Sequence, residues 1–245
     1  MAEPQERRYA PPLPQQALAE IAENLYWLPG TIGLGPLMRI SRNMLVLRHG
    51  DELTVVNAVR PGARNQATLE SLGKVRHVVR IGAFHGLDDA WYKDHYGAEF
   101  WCQPNSDRYP EPRPDHLLIE GAELPLPGLA LFLFRLPTRP EAALLFRVGP
   151  GWLITCDSLQ HYGDFSRHSL LARLLMRRMG FRRGLQIGPI WLKMLTPSGG
   201  TLQPDFERLA QWDFDALVSA HGTPLVQGAA AALAVAIGDA RWSPQ

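Results

Sequence analysis

The feature that narrows the fold most is a run of strands in the middle of the chain. Leu129 to Leu136 is apolar on both alternating faces, as a strand covered on both sides requires. His116 to Glu120, Ala142 to Val148 and Trp152 to Cys156 also read as strands, with Gly149-Pro150-Gly151 as a hairpin turn. A similar rhythm runs through the first half. Asn24 to Leu28 reads as a strand. Asn43 to Arg48 and Leu53 to Val59 form a hairpin around His49-Gly50-Asp51-Glu52, and Arg64 to Leu72 has helical spacing. Val75 to Cys102 follows as strand, loop, helix, strand. Helices are expected over Gln15 to Glu23, Arg167 to Met179, Pro204 to Gln211 and Leu225 to Ile237, with a short strand at Ala216 to Ala220 and a loop at Pro29 to Pro36. Two β-rich halves with helices outside predict an α/β (α+β) fold, a four-layer αββα sandwich.

The 245 residues suit one large domain, expected over 15–245, behind a Pro-rich, charged tail over 1–14 expected to be flexible. Hydrophobic content of 46% with 20% charged residues is globular rather than disordered composition. A net charge of +1 offers no overall pull toward nucleic acid, and none is expected as a partner. Cys102 and Cys156 are too few for a disulfide framework, and each reads as a small buried residue. The segment MAEPQERRYAPPLPQQ lacks the apolar core of an export signal, and the late apolar run Gly228 to Gly238 is shorter than the ~20 residues a bilayer span needs. A cytoplasmic protein is the expectation.

Chemistry is expected where strands stop. Val75 to Ile81 leads to His85 and Asp89, Trp152 to Cys156 leads to Asp157, and Ala216 to Ala220 leads to His221. Loops at strand ends are both scaffolded and accessible. If the three ends converge, they present two imidazoles and two carboxylates, a donor set that suits zinc, iron or manganese. Each residue alone has a plain reading as a turn residue or helix cap. Their common placement favours the site.

These residues carry a resemblance. The chain resembles a metallo-β-lactamase-fold protein from Asn24 to Ile237. The hairpin at residues 43–57 is similar to that fold's opening hairpin, and His85-Gly86-Leu87-Asp88-Asp89 stands where the family carries H-x-H-x-D-H. Trp152 to Asp157 is similar to the strand ending in the bridging aspartate, and Ala220-His221-Gly222 with Pro224 resembles the final histidine motif. The pattern is incomplete. Leu87 and Ala90 stand at histidine positions, and Pro137 to Glu141, before the strand at Ala142, holds no histidine.

The resemblance implies one divalent ion, zinc first and then iron or manganese, or none. It would be held by Asp89, Asp157 and His221, with His85 as a fourth ligand or as the acid/base. Asp88 would replace Asp89 if the loop shifts by one residue. His161 is a substitute ligand or substrate contact by one reading and a surface loop histidine by the other. A bound ion lowers the pKa of its water and polarises an oxygen, so Asp157 or His85 would take the water's proton in hydrolysing an ester, thioester, lactone or phosphoester of a small molecule. The reading from another class is a non-catalytic relative that serves binding or assembly.

Ser166 to Met194 mixes Leu and Met with Arg167, Arg173, Arg177, Arg178, Arg182, Arg183 and Lys193. It reads as a lid, an anion- or membrane-facing patch, an oligomer contact, or a solvated arginine face over packed leucines. Oligomeric state is left open.

Overall fold

A computed structural model describes residues 9–242. The strands β1 (Ala19–Ala22), β2 (Leu25–Gly33), β3 (Arg39–His49) and β4 (Glu52–Val56) form an antiparallel meander. Helix α1 (Ala63–Leu72) then crosses to β5 (Lys74–Arg80), and α2 (Asp89–Tyr96) crosses to β6 (Glu99–Cys102), which pairs with the short β7 (His116–Leu117). The pairings β4·β5, β5·β6 and β6·β7 are parallel, giving one seven-stranded sheet in sequence order.

The second sheet is built from β8 (Leu129–Leu133), β9 (Ala142–Phe146) and β10 (Trp152–Thr155), followed by the small pair β11 (Leu159–Tyr162) and β12 (Gly184–Ile187). Helix α3 (Leu170–Arg178) lies between those two strands in the chain. Then come α4 (Pro189–Leu195), α5 (Gln203–Leu209), β13 (Ala216–Ser219) and α6 (Ala229–Asp239). The four-stranded order is β13-β10-β9-β8, with β13 parallel to β10.

Strand alternation divides the core into three apolar layers. Leu45 and Leu47 of β3 point between the sheets, where they meet Leu144 of β9, Ile154 of β10 and Val218 of β13. Their neighbours Met44 and Val46 point outward to Leu69 of α1 and Trp91 and Tyr92 of α2. On the second sheet Leu145, Leu153 and Leu217 point outward to Trp191 of α4, Phe206 of α5 and Leu233 of α6. The central strands of both sheets are therefore buried on both faces, which explains why they read as continuous apolar runs, while the edge strands β1, β7 and β8 are only partly covered. The four-layer αββα arrangement is the one expected.

Two local expectations are corrected. Residues 15–23, expected as a helix, instead supply β1, which pairs antiparallel with β2. Leu18 and Ile21 have helical spacing, but the edge of β2 offers hydrogen bonds that a helix would forgo. Pro29 to Pro36, expected as a loop, is largely strand: β2 runs on to Gly33 because β3 pairs with it as far as Arg39. The expected flexible tail lies outside the described residues up to position 8. From Tyr9 it is bonded to the fold, with the Tyr9 hydroxyl donating to the Ala90 carbonyl at 3.1 Å and Arg60 donating to the Ala10 carbonyl at 2.6 Å. Both cysteines are free and buried. Among the described residues no helix is long and apolar enough to cross a membrane.

Candidate metal centre

Three strand ends meet at one point. His85 stands in the loop after β5 in the first sheet, while Asp157 and His221 follow β10 and β13, parallel neighbours in the second. Their ligand atoms all lie within 4.8 Å of one another. His221 Nε2 is 3.0 Å from an Asp157 carboxylate oxygen and 3.1 Å from His85 Nε2, and His85 Nε2 is 3.4 Å from the other Asp157 oxygen. His85 and His221 are buried and Asp157 nearly so.

Protons decide what this cluster can hold. His221 Nδ1 lies 2.6 Å from the Ser41 carbonyl oxygen, which can only accept, so Nδ1 carries a hydrogen. A neutral His221 therefore presents a bare Nε2 to a carboxylate oxygen at 3.0 Å. Two acceptors at that distance repel unless a cation lies between them. A proton can serve two of the three groups, but His85 Nε2 converges on the same point. A divalent ion serves all three. The spacings of 3.0, 3.1 and 3.4 Å are close to the edge of roughly 3.3 Å between ligands of a tetrahedral zinc bonded at ~2.0–2.1 Å. The donor set fits a divalent metal, and it would leave the fourth position open.

The charge states agree with this fit. Burial opposes the Asp157 carboxylate, but positive charge and hydrogen-bond donors at the His85 and His221 positions outweigh it and hold its pKa well below the usual range; protonated imidazoles supply these when no ion is bound, and an ion would take over that part. Burial lowers the His85 pKa, against the pull of Asp157, so its imidazole is neutral near pH 7 and offers a lone pair. Its Nδ1 is buried without a hydrogen-bond partner among the described residues.

Asp89, expected as a ligand with these three, is not among them. It opens α2, fully buried, with one carboxylate oxygen 3.2 Å from Arg80 Nη1. Arg80 closes β5 and is itself buried, lying over the Phe100 and Tyr109 rings at 5.2 and 5.7 Å. Gly86 makes room for it, since a Cβ there would overlap the Arg80 guanidinium and the Tyr109 ring. Burial pushes the Asp89 carboxyl up to about 7, against the pull of Arg80 and Arg42. Asp88 is no substitute, because its carboxylate pairs with Arg42 Nη1 at 2.6 Å. Both loop acids are thus committed to arginines. His161 also stays out of the cluster, with Nδ1 3.0 Å from the Thr223 carbonyl oxygen.

Sequence reasoning missed three supporting residues. Glu141, in the stretch noted only for lacking histidine, is buried, and its Oε1 accepts from the backbone N–H groups of Asp157 at 2.9 Å and Ser158 at 2.8 Å. It fixes the turn that carries Asp157. The same close approach needs Gly82, where a Cβ would overlap the Cys156 thiol. Ser41 orients His221 through its carbonyl and accepts at Oγ from the Gly222 N–H at 2.9 Å. His168 stands behind Ser41, its Nε2 3.4 Å from Ser41 Oγ. A glutamate directly before an apolar strand was the available signal, and its burial could not be read from the sequence.

A scan of the sequence against protein-family models finds no match, and a search of curated proteins finds none either. Solved structures do match. The chain is similar to the metallo-β-lactamase FIM-1 from Pseudomonas aeruginosa in its mono-zinc form, with a TM-score of 0.63 at 14% identity over 94% of this chain and 97% of that one. It is similar to VMB-1, with a TM-score of 0.66 at 11% identity over 93% and 98% of the two chains. A metallo-β-lactamase from Erythrobacter litoralis gives 0.59 at 13% identity over 91% and 92%. At these identities the likeness is one of fold.

Proposed function

We propose that this protein, which has the metallo-β-lactamase fold, is a metal-dependent hydrolase with a single divalent ion, zinc in the first instance, held by His85, Asp157 and His221. The observation that supports the reading is the convergence of His221 Nε2, whose Nδ1 is tied to the Ser41 carbonyl, on an Asp157 carboxylate oxygen and on His85 Nε2. The ion would supply a water of lowered pKa and polarise a carbonyl or phosphoryl oxygen. The chain's own residues prepare the site. Ser41 sets the His221 tautomer, Glu141 holds the turn of Asp157, and Arg80 keeps Asp89 occupied. An ester, thioester, lactone or phosphoester of a small molecule is the substrate class.

Metal analysis of protein purified without a metal-binding tag tests the reading. We expect about one zinc, iron or manganese per chain, lost in an Asp157→Ala/His221→Ala double variant and kept in Asp89→Asn. A folded wild type that takes up no ion after loading with each of these metals would overturn it in favour of a binding or assembly role.

A further inference from the structure

Helix α3 wears its leucines on the outside. Ala172 and Met176 face inward, while Leu170 is 80% exposed and Leu174 58%. Beside them stands the tip of the β2–β3 hairpin, where Leu37 is 74% exposed and Leu34 53%. The two elements are tied together. Ser169 Oγ donates to the Leu37 carbonyl at 2.8 Å, and the Ser169 N–H donates to the Arg39 carbonyl at 3.0 Å. Four leucines thus share one projecting ridge. Single exposed apolar residues need no explanation, but a group of this kind does.

The charge around the ridge is mostly positive, with Asp164 near Arg167 and Arg183 and Asp239 on Arg182 as the acids beside it. Between Asp164 and Asp205 the chain has six arginines and one lysine and no acid, and between Glu23 and Asp51 it has no acid either. Arg167 is spent on Asn43 and the Gly222 carbonyl, and Arg182 on Asp239. Arg177, Arg178 and Arg183 are exposed and make no ion pair among the described residues. Arg177 and Arg178 fall on the last turn of α3, so the helix presents leucines at its start and guanidinium groups at its end.

We propose that this ridge docks the protein peripherally on an anionic lipid surface, the leucines entering the boundary of the acyl chains and the three arginines resting on lipid phosphates. A polar ridge would be enough for a soluble anion, and leucines gain nothing from a nucleic acid backbone; leucine beside arginine fits a bilayer interface. A second copy of the chain fits poorly, because a two-fold contact would set the same cations against each other. The ridge borders the site described above, since β3 carries both Arg39 and the Ser41 that orients His221. The proposal does not depend on that site holding a metal.

Co-sedimentation of the whole protein with vesicles tests it. At low salt we expect recovery with phosphatidylcholine/phosphatidylserine vesicles to exceed recovery with pure phosphatidylcholine at least tenfold, and to fall in ~0.5 M salt, where surface charges are screened. Each arginine removed should cost about fivefold in partition, so Arg177→Gln/Arg178→Gln/Arg183→Gln together should cost roughly a hundredfold. Leu37→Ser/Leu174→Ser should also weaken binding while leaving the circular dichroism spectrum unchanged, because both side chains are exposed. Equal recovery with neutral and anionic vesicles would overturn the proposal. So would binding to an oligonucleotide as tight as to vesicles, or a lipid-free dimer that the leucine variant abolishes.

Discussion

At the scale of single residues, His168 is one source of acid sensitivity. Burial lowers its pKa to about 4, helped by His221 whenever that imidazole is protonated and by the Arg167 guanidinium. It therefore stays neutral in the folded protein while the unfolded chain takes up a proton below about 6.5. The unfolded state binds more protons between those values, so stability falls as the pH drops from 6.5 to 4. The full loss is at most roughly 3.5 kcal/mol, at about 1.4 kcal/mol for each tenfold change in proton affinity, less the share that solvent screens. Denaturant midpoints of wild type and His168→Gln, taken at pH 7 and pH 4.5, should converge as the pH is lowered. Parallel loss in both would show that another group carries the acid sensitivity. None of this was legible in the sequence. His168 meets Ser41 across 127 positions, and His221 meets it across 180. A lone histidine before a helix gives no local sign of such partners.

Among elements, the junction of β5 with α2 is where local reading and packing diverge. The loop from His85 to Asp89 reads as delivering a histidine and an aspartate to one place, and its spacing supports that. The end of β5 changes the outcome, because Arg80 turns inward, spans the Phe100 and Tyr109 rings and takes the Asp89 carboxylate. Arginine on a strand reads as an exposed residue unless its burial is known. Removing one member of a buried pair costs about 3–5 kcal/mol, whereas replacing both with apolar groups is often neutral. Arg80→Met should therefore destabilise by about that amount, and Arg80→Met/Asp89→Leu should recover most of it in urea denaturation. If the double variant is no more stable than the single one, the pair is not what Arg80 serves. The central strands were legible because both of their faces are covered, whereas β11 and β12, in a stretch read as loop and helix, were not. The first was not, because β1 owes its conformation to the edge of β2 rather than to its own spacing.

Over the whole molecule, the chain is two β-rich layers laid face to face, with Leu45, Leu47, Leu144, Ile154 and Val218 filling the space between. The layers were foreseeable from rhythm alone. The point at which their ends meet was foreseeable only in part, from the histidine and aspartates that follow each strand. His85 belongs to the first sheet, and Asp157 and His221 to the second. An ion bound by all three would act as a clasp across the open edge of the sandwich. Stripping it with a chelator should raise amide exchange at residues 83–86 and 157–159, with α5 and α6 unchanged, as mass spectrometry of exchanged peptides would read. Uniform loosening, or none, would mean that the edge holds without help. Removing a ligand would then do two things at once, silencing the chemistry and unfastening the seam. A variant judged inactive by its turnover must also be judged by whether its two layers still close.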